Sequence, residues 1–83
     1  MTDDDSYRPI DCGRHSELEL AIMHRQWLRV AWHEDGGSHV EALLPRDLET
    51  REGVEYLLAD NHDGTTHRIR LDRLDEFQPI EFN

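Results

Sequence analysis

Trp27-Leu28-Arg29-Val30-Ala31-Trp32-His33-Glu34-Asp35-Gly36-Gly37-Ser38-His39-Val40-Glu41-Ala42-Leu43-Leu44-Pro45 is the stretch on which the reading of the fold turns. Trp27 to Trp32 is rich in aromatic and aliphatic residues, the composition that suits a pleated, half-buried surface. Glu34-Asp35-Gly36-Gly37 then carries the Asp-Gly signal of a tight hairpin. His39 to Leu44 reads as the return strand. Pro45 is expected to end it, because proline brings no amide donor to a ladder.

Downstream, the same alternation of apolar runs and turn residues continues. Arg46 to Gly53 is polar and reads as a loop, with one helical turn at Asp47-Leu48. Val54 to Ala59 is the most apolar run and is expected to be the central strand. Asn61-His62-Asp63-Gly64 marks another turn. Thr66 to Leu71 alternates, with Ile69 and Leu71 on one face. Asp72-Arg73-Leu74 is a short turn, and Glu76 to Glu81 forms a last strand carrying Phe77 and Ile80. Trp27, Trp32, Tyr56, Leu57 and Leu58 are the expected core.

Upstream, Ser16-Glu17-Leu18-Glu19 matches a capping box, in which Ser16 and Glu19 satisfy each other's backbone amides. Leu18, Ala21, Ile22 and Arg25 follow three and four apart, the stripe of an amphipathic helix over about 16–25. Glu17 and Glu19 in its first turn would suit the helix dipole. Tyr7-Arg8-Pro9-Ile10 reads as an extended arm pinned by Tyr7 and Ile10. Residues 1–6 are expected to be disordered, and 7–83 to form one domain.

One helix before five short strands predicts a mainly β (α+β) protein. Small antiparallel sheets remove their exposed edges by closing, so the expected fold is a small five-stranded antiparallel barrel capped by the N-terminal helix. OB-like and Sm-like barrels both fit, and a helix ahead of the first strand favours the Sm-like one.

Composition limits the function. The 83 residues include 19 acidic and 9 basic side chains, for a formal net charge of -10. Such a field repels a polyanion and speeds approach to a basic surface, although acidity also serves solubility alone. The single cysteine, Cys12, excludes an internal disulfide. No apolar run approaches the roughly 20 residues that cross a bilayer. An acidic N-terminus is unlike a secretory signal, so a cytoplasmic protein is expected, away from membranes.

The chemistry-bearing residues form no catalytic pattern. Six histidines (His15, His24, His33, His39, His62 and His67) show no metal-ligand spacing, though His62 and His67 flank a turn and could face each other across it. Cys12 lies between Asp11 and Arg14, whose charges cancel, and reads as a small structural residue under the helix rather than a nucleophile. Gly36-Gly37 lacks the lysine of a phosphate loop. The aromatic residues lie in apolar strand patterns, and the arginines are interleaved with acids, which disfavours direct RNA binding. No enzyme activity and no cofactor are expected.

Four segments together point to a family. Tyr7-Arg8-Pro9-Ile10-Asp11-Cys12, Leu18-Glu19-Leu20-Ala21, Val54-Glu55-Tyr56-Leu57 and Arg70-Leu71-Asp72-Arg73-Leu74 resemble the Rho-binding antiterminator family, also called Rof, in its order and near its spacings. The resemblance implies an Sm-like barrel with an N-terminal helix. It also implies binding to the RNA-binding N-terminal domain of hexameric termination factor Rho, exclusion of RNA there, and inhibition of termination; apart from this, the free chain is expected to be monomeric. The family's contacts come from the helix start and from the loop before the central strand. Here those places are His15, Ser16, Glu17 and Glu19, and Arg51, Glu52 and Gly53. Glu19 lies inside a matched segment. Gly13-Arg14-His15-Ser16 is less acidic than the family's helix entry, and Glu52-Gly53 stands where the family has a basic and a polar residue. The competing reading is an Sm-like module that binds RNA directly.

Overall fold

The computed structural model describes residues 7–81; the disorder expected at residues 1–6 falls outside them. An N-terminal helix, α1 (Cys12–Met23), precedes five strands: β1 (Leu28–Glu34), β2 (Gly37–Arg51), β3 (Val54–Asp60), β4 (Thr66–Arg70) and β5 (Leu74–Pro79). A single 3-10 turn, Leu71–Arg73, joins β4 to β5. All pairings are antiparallel, in the order β4-β3-β2-β1-β5.

The central strand is therefore β2, not the more apolar β3. It continues through Pro45 and through the expected loop at Arg46 to Arg51. Proline's missing donor does not end the strand; it coincides with a register shift between Pro45 and Asp47. An extra residue of this kind bends a strand. Up to Leu43, β2 pairs with β1; from Leu44 it pairs with β3. From Asp47 to Arg51 the residues that read as a loop pair along β3.

The expected closed barrel does not form. Among the described residues no ladder joins β4 to β5, so the sheet is open at both strands. Charges on those edges, Arg68 and Arg70 on β4, Asp75 and Glu76 on β5, and Pro79 at the end of β5, discourage edge pairing with another chain.

Two hairpins set the sheet's register. Asp35 (φ 52°) with Gly36 (φ 76°) and Glu52 (φ 51°) with Gly53 (φ 81°) both place two successive residues in the left-handed region. That is the backbone of the two-residue turn that matches strand twist.

The inner faces bury Leu28, Val30, Trp32, Leu43, Leu57, Ala59, Ile69, Leu71 and Leu74. Leu18 and Ala21 of α1 join them, and the helix lies against β2. Tyr7 and Ile10 pack on the same cluster, as the arm reading expects. Of the five expected core residues, Trp32 and Leu57 are buried, while Trp27, Tyr56 and Leu58 are half-buried. Trp27 instead stacks on His62, with ring centroids 4.4 Å apart. His67 meets the edge of Trp32 and lies 3.7 Å from Glu41, so each turn-flanking histidine has its own partner. Among the described residues no helix is long and apolar enough to cross a membrane.

Candidate partner-binding surface

The helix that carries the expected contacts begins earlier than the capping box suggested. Asp11 is the N-cap, and its Oδ1 accepts from the Arg14 amide at 3.0 Å. Aspartate is among the best residues for this duty. Ser16 and Glu19 consequently do not cap anything: they sit in the second and third turns, and the first turn holds no acid. Cys12 is exposed at the first helical position rather than packed beneath the helix. The far end closes with the Arg25 amide on Ile22 O at 3.3 Å and the Gln26 amide on Ala21 O at 2.9 Å, with Arg25 at φ 52°. This paired closure terminates helices through a left-handed residue.

Glu17 and Glu19 are thereby free of any backbone duty. Both are exposed on α1. His15 is half-buried: its Nε2 lies 3.2 Å from Glu55 Oε2 and its Nδ1 3.8 Å from Glu19 Oε1. The other oxygen of Glu55 accepts from the Tyr7 hydroxyl at 3.1 Å. Burial, then the hydrogen bond and charge of Glu55, push the Tyr7 phenol up to about 12. Nearby, Asp72 accepts from the Arg8 amide at 3.2 Å and pairs with Arg70 at 2.8 Å. The arm, the helix start and β3 are thus fastened at one carboxylate.

Glu55 lies in the Val54–Leu57 segment, but its fastening role shows in the structure. A signal was available: it shares its parity on β3 with Leu57 and Ala59, both fully buried. An acid on a strand's inward side needs a partner.

Glu55 also relates the two groups of expected site residues. It pairs with Thr50 in the ladder, one step from the Arg51–Val54 pair that flanks Glu52-Gly53. His15 therefore reaches the base of the β2–β3 hairpin, while Ser16, Glu17 and Glu19 stand on the exposed side of α1. At the hairpin, Arg51 Nε is 3.7 Å from Glu49, which Arg68 also approaches at 3.2 Å. Glu52 and Gly53 are exposed at the tip. The surface offers two carboxylates, Glu17 and Glu19, on opposite sides of the exposed face of a fastened helix, and a cation beside a turn. It suits recognition of cations by charge-assisted hydrogen bonds. Among the described residues no group of three or more His, Cys, Asp or Glu side chains is placed to hold a metal ion.

Comparison with known proteins agrees with the segments that carried the resemblance. A family model described as "Modulator of Rho-dependent transcription termination (ROF)" matches residues 9–83. The chain is 35% identical over 77 residues to Protein rof of Escherichia coli (strain K12), covering 93% of this chain and 87% of that protein. Protein rof of Shigella flexneri matches to the same extent. Among solved structures, proteasome accessory factor B/C (PafBC) of Arthrobacter aurescens superposes with a TM-score of 0.74 at 18% identity, over 90% of this chain but only 12% of that one. That likeness is one of fold. The family match over nearly every described residue, together with the two relatives, establishes that this chain belongs to the Rof family of modulators of Rho-dependent transcription termination.

Proposed function

We propose that this protein acts by binding Rho at its N-terminal RNA-binding domain, so that nascent RNA cannot load and termination is inhibited. It would do so in the cytoplasm, as a monomer on an open five-stranded sheet, with no cofactor and no chemical step. The observation that supports this reading most is the pair Glu17 and Glu19, exposed on a helix fastened to the sheet, in a chain of net charge -10. A site that captures RNA draws much of its affinity from Arg and Lys on phosphates. Carboxylates at comparable positions compete for the same cations, and the long-range field raises the rate of encounter. His15 and Ser16 flank the carboxylates, and Arg51, Glu52 and Gly53 extend the contact along the hairpin. Charge-assisted hydrogen bonds contribute about 1.5–3 kcal/mol each, so two carboxylates matter strongly at any realistic affinity.

Binding of the full chain to its cognate Rho hexamer, titrated at several salt concentrations, tests the reading. Affinity should fall as salt rises, and Glu19→Lys or Glu17→Lys should weaken it by tenfold or more. Affinity that ignores both salt and these reversals contradicts the proposed site.

A further inference from the structure

Beside the carboxylates, α1 exposes apolar surface that the fold does not use. Leu20 is 51% exposed and Met23 72%. They stand three residues apart, hence on one face of the helix. Depressions flank this face. One, of about 230 Å³, lies between Leu20 and Phe77 and Pro79 of β5. The other, of about 670 Å³, lies between Leu20, Met23 and Leu48 of β2. Their acidic members are Glu17 in the first and Glu19 and Asp47 in the second, and neither is lined by an arginine. Isolated exposed apolar residues are ordinary. Two on one helical face, with apolar depressions on either side and carboxylates on both rims, form a composite surface.

Resting on the Rho reading above, we infer that this face copies a short single strand of RNA in both of its chemical aspects. Glu17 and Glu19 stand for phosphates, and Leu20 and Met23 stand for the faces of bases. The occupant is the RNA-capturing surface of Rho, met through its aromatic side chains as well as its cations. The argument is one of complementarity. Surfaces that hold single-stranded RNA combine cations along the backbone path with aromatic platforms on which bases stack. A competitor made only of carboxylates satisfies the cations and leaves those platforms in water. Leucine and methionine beside the acids cover them, and methionine's unbranched thioether adapts to a ring and contacts it favourably. The charge of the rims selects the same partner: a neutral or acidic apolar segment would leave Glu17, Glu19 and Asp47 facing no cation.

The test uses the full chain and the Rho hexamer, with affinity measured by calorimetry at several temperatures and salt concentrations. The double variant L20A/M23A keeps helix-favouring residues at both positions. It should bind about 10- to 100-fold more weakly with an unchanged salt slope, and its heat-capacity change on binding should be less negative, the mark of lost apolar burial. Glu17→Gln with Glu19→Gln should weaken binding while flattening the salt slope. Leu20→Met should bind within a few-fold of the parent chain. If circular dichroism shows that L20A/M23A has lost helix, Met23→Ser, at the most exposed position, replaces it and should weaken binding several-fold. A parent chain that binds Rho while these apolar variants bind equally well overturns the inference and leaves the Rho reading standing. A parent chain that does not bind Rho removes both.

Discussion

The helix start and the β2–β3 hairpin are the two places where contacts are expected, and they are built in opposite ways. The helix side is anchored in depth: Leu18 is fully buried, Asp11 caps the first turn, and His15 and Tyr7 converge on Glu55. The hairpin side is held by its ladder and by surface charge contacts, and its tip lies beyond the buried core. Glu52 and Gly53 are exposed in left-handed conformations, and the charge contacts beside them, Arg51 and Arg68 on Glu49 at 3.7 and 3.2 Å, lie at the surface. Ordering a loose side chain on binding costs about 0.5–1.5 kcal/mol, a cost that a preorganised one avoids. Affinity should therefore concentrate on the helix, with the hairpin adjusting it.

The contrast can be broken most forcefully at Leu18. Leu18→Ala should destabilise the protein by about 2–5 kcal/mol, the cost of a large-to-small change in a core that cannot collapse fully. Denaturant unfolding measures this directly. A loss below about 1 kcal/mol would show that α1 is not anchored through this residue.

Glu55→Ala comes next. It removes two hydrogen-bonded contacts, each contributing about 0.5–1.5 kcal/mol, and should loosen the arm and the first turns of α1 in hydrogen exchange while β1 and β2 stay protected. It also has a titration signature. The Tyr7 phenol is raised to about 12, first by burial and then by Glu55. A raised folded-state value means that the neutral phenol is the form the fold favours. Its contribution is fully present below about pH 10, the ordinary tyrosine value, and disappears as pH rises through about 12. In Glu55→Ala the phenol should titrate closer to 10, held above it by the burial that remains. A Tyr7 titration identical in parent and variant would remove Glu55 from the account.

The smallest effect belongs to the hairpin. Gly53→Ala forces a β-carbon into a residue at φ 81° and should cost about 1–2 kcal/mol. Gly37→Ala, at the start of β2 with no neighbouring atom closer than 3.8 Å, should be close to neutral. Equal costs at both positions would show that backbone conformation does not set the hairpin.

These elements differ in how far the sequence reveals them. Asp35-Gly36 and the alternation of β4 are local signals, and the structure follows them. The continuity of β2 is not local. Pro45 and the polar run after it resemble a strand end and a loop, and only pairing with β3 across the bend makes them a strand. The barrel failed for a related reason: strand count and length say nothing about whether the last two edges meet. The Leu18–Ala21–Ile22 stripe marks the helix, but Ser16–Glu19 mimics a cap downstream of the true one, Asp11. That displacement matters for the site, since it frees Glu17 and Glu19 from service to the backbone. The fastening role of Glu55 went unnoticed because its partners, Tyr7 and His15, lie 48 and 40 residues away in the chain.

The central claim is that this Rof-family chain modulates termination by occupying the surface through which Rho captures RNA. Its most direct test is displacement: labelled single-stranded RNA is bound to cognate Rho hexamers, and this chain is added at increasing concentration. The account predicts that RNA is released in step with binding of the chain, that raising the RNA concentration reverses the release, and that Glu19→Lys shifts the curve to higher protein concentration. Saturating binding of the chain to Rho with RNA still fully bound would contradict it.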